Sequence, residues 1–272
     1  MTETEIGIAP AAPTVGVRGA IRVWERHWKL HSFYWRSDLM GAVVQPLLYL
    51  MGMGLGVGSL VDSQGAGLLD GVSYLAFVAP AVIAAAAMNV AAQESVWPLM
   101  AGFKWSKAFQ AMCATPITAA QVAGGTLLWL TTKVTISTLG VGAVLMLFPA
   151  TRTVGVLAAI PAGIVTGLAY GLAISAWTAT RESDTSFPVI LRFFILPMFL
   201  FAGVFFPVDQ LPDPIPLIVW AVPLWHGVEL SRGAVIGGLD PAMAAIHIAI
   251  LLVWVGIGFL ACTRTFARRL TP

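Results

Sequence analysis

Apolar residues fall into six long, nearly unbroken stretches set apart by shorter polar segments: residues 39–60, 73–93, 119–147, 154–177, 187–206 and 241–262. Each is about 20 residues or longer, the length an α-helix needs to cross the ~30 Å hydrocarbon core of a bilayer. The pattern predicts an all-α polytopic membrane protein with six transmembrane helices. Residues 1–38 contain no continuous apolar core of the kind a cleavable signal needs, so the first span is expected to act as its own insertion signal.

The periodicity breaks most sharply at residues 201–216, FAGVFFPVDQLPDPIP. Proline removes a backbone donor and clashes with the preceding turn, so Pro207, Pro212, Pro214 and Pro216, directly after Phe206, cannot continue a lipid-exposed helix. Residues 217–235 are again apolar but are interrupted by Pro223 and carry His226, Glu229 and Arg232. That stretch is poor as a span and predicts a pair of short re-entrant helices between the fifth and sixth spans.

Outside the spans, residues 17–38 show a helical period of a different kind. Val17, Ile21, Trp24, Trp28 and Trp35 recur at helical spacing, with Arg18, Arg22, Glu25, Arg26 and Lys29 largely between them. This predicts an amphipathic helix in the membrane interface, its arginines facing phosphates or a partner, or else a plain topology anchor. Residues 1–16 are small, polar and proline-containing, a composition expected to be disordered. Between the second and third spans, residues 94–118 are too polar to cross. There Phe103, Ala108, Phe109 and Met112 share one side of a short surface helix, with Lys104 and Lys107 turned to water.

Two features lie inside the spans. Gly52, Gly54, Gly56 and Gly58 form overlapping small-xxx-small pairs, which allow helix backbones to approach closely. Lys133 lies 14 residues from each end of the third stretch, about 21 Å along a helix axis. An ammonium at that depth costs roughly 3 kcal/mol on insertion scales, so it is expected to face a hydrated cavity, an acidic partner or an anionic group. Glu94 and Glu229 are the nearest carboxylates by this reading, from opposite edges; a structural role is the alternative.

Composition agrees: 58% of the 272 residues are hydrophobic, 10% are charged, and the mean hydropathy is +0.85. Twelve of the fifteen Lys and Arg residues fall on the side that holds both termini, which predicts those termini to be cytoplasmic. Cys113 and Cys262 are not expected to pair. None of the four lysines follows a glycine as a phosphate-cradling loop requires, and the four histidines are too scattered for a metal cluster. Catalysis, cofactor binding and nucleic-acid binding by this chain are not expected. A membrane-embedded lipid-modifying enzyme would need clustered acids or histidines, and a secondary transporter would need charges in several broken spans.

The block Gly203-Val204-Phe205-Phe206-Pro207, followed by Leu211-Pro212, Pro223-Leu224 and Arg232, resembles the signature near the end of the fifth helix in membrane subunits of ABC-2 (type V) transporters. The runs YLAFVAPAVIAAAAMN at 74–89 and KAFQAMCATPIT at 107–118 are similar to the branch with nodulation lipo-oligosaccharide and daunorubicin-type drug exporters. The resemblance implies a bacterial inner-membrane permease that dimerises along its first and fifth helices and docks two separate ATPase subunits, which carry the ATP and magnesium. It implies an interface helix at 17–38 (Arg22, Trp24, Arg26, Trp28), a coupling segment (Glu94, Lys104, Lys107, Phe109, Met112), a six-helix domain at 39–262, and a cytoplasmic tail at 263–272. Tyr49, Lys133, Phe194, Phe199 and Phe205 would lie on the path of an amphipathic substrate, and Phe206, Pro207, Pro212, Pro223 and Glu229 in the re-entrant segment.

Overall fold

The computed structural model describes residues 16–63 and 71–271, so the expectation for residues 1–15 lies outside the described residues. Among the described residues ten helices carry the fold: α1 (Val17–His31), α2 (Trp35–Ser63), α3 (Tyr74–Trp105), α4 (Ala108–Cys113), α5 (Ala119–Leu145), α6 (Gly155–Thr178), α7 (Phe187–Phe201), α8 (Ile215–Trp220), α9 (Pro223–Ile236) and α10 (Pro241–Leu270). Helix starts follow local chemistry. Thr118 and Gln121 form a reciprocal capping box on α5, and the Asp240 carboxylate accepts the Ala242 and Met243 amides on α10. Ser73 caps α3, while Asp62 accepts the Tyr74 amide across the preceding connection.

Among the described residues five helices, α2, α3, α5, α6 and α10, are long and apolar enough to cross a membrane. The expected fifth span is shorter. α7 has 15 residues, about 22 Å of helix, and stops where Ala202 leaves helical geometry and Gly203 takes φ +79°. After it come two further helices, α8 and α9, of 6 and 14 residues. At the other boundaries, α10 runs past Cys262 to Leu270, and the helix expected over 17–38 ends at His31, with a turn before α2 begins at Trp35. The surface helix expected from Phe103 to Met112 is split. α3 turns at Ser95–Val96 and continues to Trp105, then Lys107 at φ +50° breaks the chain before α4.

α6 is the centre of packing, with α3, α5, α9 and α10 around it. Gly163, Gly167 and Gly171 lie one turn apart, and a Cβ at each would come within 2.7 Å of Ile83, Val134 or Leu130. Glycine there lets α3 and α5 sit against the α6 backbone, as small residues do between membrane helices. α2 is different: most of its large apolar side chains are exposed, and it meets the rest through α5 and α3. Of the small-xxx-small pairs in α2, Gly54 and Gly58 face Leu75 and Tyr74, while Gly52 and Gly56 touch nothing.

α1 packs along the first half of α5. Its backbone approaches so closely that a Cβ on Gly125 would fall 2.4 Å from the Ala20 carbonyl oxygen, and one on Gly19 would overlap Gln121. The Gln121 amide donates to the Gly16 carbonyl at 2.8 Å, and Trp24 Nε1 donates to Thr132 Oγ1 at 2.9 Å. Gly19, Ala20 and Val23 of α1 are therefore buried against α5, while Val17, Ile21 and Trp28 of the expected apolar stripe are exposed, as are Arg22 and Lys29.

Candidate functional site

Lys133 takes its position from helix geometry. Cα–Cβ bonds tilt towards a helix N-terminus, so on α5 the ammonium is carried back towards the end where α2 starts and the first segment of α3 stops. There it meets Asp38 Oδ2 in a short ion pair and Glu94 Oε1 at 3.2 Å. Tyr34 and Trp129 place their rings 5.7 and 6.0 Å from Nζ. His31 Nδ1 lies 2.9 Å from Asp38 Oδ2, but with an angle too poor for a hydrogen bond. Lys133 thus ties α2 to α3 through α5. Asp38 was not among the expected partners because its sequence position puts it on the polar flank of the first span. Glu229 is not a partner at all: it pairs with Arg232 at 2.6 Å.

Beside this cluster a cavity of about 670 Å³ opens between α2, α3, α5 and α7. One end is charged, with Asp38, Glu94, Lys133 and Arg192; Gln45, Asn89, Gln93 and Ser137 follow along the wall. Asn89 with Gln93, and Lys133 with Ser137, are each four residues apart, so each pair stacks on one helix face. The other end is aromatic. Tyr49 meets Phe199 at 6.2 Å and Phe205 at 5.8 Å, and these two phenyl rings meet edge-on at 5.1 Å. Of the residues expected on a substrate path, Tyr49, Lys133 and Phe199 line the cavity, Phe205 backs its aromatic end, and Phe194 turns outward. Sequence reasoning missed Asp38, Gln93, Ser137 and Arg192; polar residues repeating every four positions on apolar spans were the available signal.

The residues grouped as a coupling segment separate in space. Glu94 belongs to the cavity. Phe109 is fully buried, ringed by Phe103 and Phe266 at 4.9 and 6.1 Å, and Met112 packs beside them. Lys104, Trp105, Lys107 and Gln110 form the exposed tip, where Lys104 donates to the Glu182 carbonyl of the neighbouring connection. On α1, Arg22 and Trp28 are exposed, Arg26 is half-buried, and Trp24 stacks on Trp28 at 5.6 Å. His27 lies against Trp129, and burial, with Arg26 adding to it, pushes its pKa down to about 4.

At the opposite end of the molecule, Arg232 organises the proline-rich segment. Its guanidinium donates to Glu229 Oε1 and to the Gly203 carbonyl, each at 2.6 Å, and lies 3.8 Å over the Phe77 ring. This single side chain joins α9, the break after α7 and the first turn of α3. Pro223 is buried, Phe206 and Pro207 are half-buried, and Pro212 is exposed. No group of three or more metal-ligating side chains occurs among the described residues.

The whole stretch from residue 21 to 236 matches the family model described as "ABC-2 type transporter". The chain belongs to the ABC-2 type transporter family. Within that family it is similar to Nodulation protein J of Rhizobium leguminosarum bv. viciae, at 31% identity over 91% of this chain and 95% of the relative. Nodulation protein J of Rhizobium meliloti (strain 1021) is 30% identical over 93% and 94%, and that of Bradyrhizobium diazoefficiens 28% identical over 91% and 94%. As an ABC-2 family chain, it is a membrane component of a transporter rather than an enzyme.

Proposed function

We propose that this chain is the permease subunit of an ATP-driven exporter, and that an amphipathic cargo passes through the cavity between α2, α3, α5 and α7. The observation that carries the reading is the polarity of that cavity, charged and amide-lined at one end and aromatic at the other, which suits a molecule with a polar head and an apolar body. Both termini lie in the cytoplasm, α7 makes the fifth of six crossings, and α8 and α9 re-enter the outer leaflet. Two copies of the chain pair along α2 and α7, and each docks one ATPase subunit that holds ATP and magnesium. The exposed tip at Lys104, Trp105, Lys107 and Gln110 meets the ATPase, with Phe109 and Met112 fixing the tip on α10 from inside. Nucleotide binding then favours one packing of the two halves over the other.

The tagged full-length chain, extracted in mild detergent from its native membrane, is expected to bring down a protein with a phosphate-binding loop and vanadate-sensitive ATPase activity. Lys107→Glu combined with Trp105→Ala should lose that partner while the chain still purifies folded. A monomer free of ATPase activity would overturn the reading.

A further inference from the structure

We infer that the outer surface of α1 is a binding face for anionic phospholipid, which seats this helix on the bilayer surface while it packs on α5. At about 100° per residue, α1 has three sectors. Gly19, Ala20 and Val23 make the sector buried against α5. Val17, Ile21 and Trp28 fall within about 40° of one another, and all three are exposed. Arg18, Arg22, Arg26 and Lys29 fall within about 80° and border that apolar stripe. An exposed cation is ordinarily solvated by water; a contiguous exposed apolar stripe alongside is the part that calls for a partner.

The stripe continues beyond α1. Phe33, in the turn that follows, is 87% exposed, and Trp35, Leu39 and Met40 carry the apolar surface onto α2. α2 is long and apolar enough to cross a membrane, so the turn stands where hydrocarbon gives way to headgroups, and α1 lies at headgroup depth. Charge then selects among the lipids. On α1 four cations face one acid, Glu25, which Arg22 already pairs at 3.0 Å. A shallow groove of about 420 Å³ lies among Arg22, Glu25, Arg26 and Lys29 and is bounded also by Leu30 and Phe33. A lipid phosphate is set against Arg26 and Lys29, and its acyl chains against Leu30 and Phe33. An acidic protein would answer the cations but leave the apolar stripe in water, which favours the lipid.

Binding of radiolabelled phosphatidylglycerol and phosphatidylcholine with identical acyl chains to the purified full chain in mild detergent tests this. Phosphatidylglycerol is expected to bind about tenfold more tightly, each cation at a membrane surface being worth about a fivefold gain with an anionic headgroup. Arg26→Gln combined with Lys29→Gln should bring the two lipids together, whereas Lys104→Gln combined with Lys107→Gln, which removes as much charge elsewhere, should leave the preference in place. Phe33→Ser should weaken both lipids alike. Raising salt from about 0.05 M to about 0.5 M should erase the preference of the wild-type chain, because exposed charges are screened; this arm needs no variant to fold. A preference that survives either the Arg26 and Lys29 double change or the added salt would overturn the inference. A double variant that keeps the preference but loses an acidic protein from pull-downs would assign the face to that protein instead.

Discussion

Lys133 shows how a single residue can be placed correctly by physics while one of its two partners stays hidden. Its depth demanded a counter-charge, and the structure supplies two, one from a helix start and one from a helix end. Glu94 was legible as a nearby carboxylate, whereas Asp38 does not stand out in the sequence, because it sits at a polar boundary where acids are common. Lys133→Met should destabilise the chain by about 3–5 kcal/mol, since it leaves two part-buried carboxylates uncompensated. Thermal unfolding in detergent checks this, and the triple change Asp38→Asn, Glu94→Gln, Lys133→Met should recover much of the loss. His27 gives a pH dependence of definite sign. Its pKa falls from 6.5 to about 4 on folding, so the unfolded chain takes up the proton first. The stability contributed is fully present above pH 6.5 and is lost as pH falls towards 4. Between pH 7.5 and 5 the melting temperature of the wild type should drop more than that of His27→Phe.

At the scale of elements, the spans were legible because bilayer thickness sets their length, and α3, α5 and α10 begin within a residue of where the polar pattern ends. The connections were less so. The shared side of Phe103 and Phe109 was readable from spacing, but spacing alone does not say whether that side faces a partner or the chain's own last helix, and Phe266 settles it. The amphipathic period of residues 17–31 likewise fits a lipid surface or a protein groove equally well. In the structure the two sides divide: with no Cβ, Gly125 admits the Ala20 backbone, while Val17, Ile21 and Trp28 stay exposed. Gly125→Leu is expected to drive α1 off α5 and to expose the α1–α2 turn to limited proteolysis, with the spans remaining protected. Arg232→Gln should loosen the segment after α7, read as faster hydrogen exchange at residues 202–211, because it removes the bond to the Gly203 carbonyl and leaves Glu229 unpaired.

For the whole molecule, the face of α2 that carries Gly52 and Gly56 is the test of self-association. A side chain at either position meets nothing within this chain. The double change Gly52→Leu and Gly56→Leu should therefore leave the fold and melting temperature nearly unaltered while shifting the purified protein from dimer towards monomer in cross-linking. An unchanged oligomer would remove α2 from the dimer seam.

The glycine ladder of α6 has a mechanical corollary. Backbones locked at van der Waals distance along three successive turns cannot slide without collision, so α3, α5, α6, α9 and α10 behave as one stiff frame. α2 joins that frame through the Lys133 ion cluster and buried Leu50, and α7 joins it through buried Phe187 and Ile195, while Tyr49, Phe199 and Phe205 link the two helices to each other. Any change in the width of the cavity must consequently fall on the contacts that α2 and α7 make at its edges, with the glycine-packed interior of the frame left untouched.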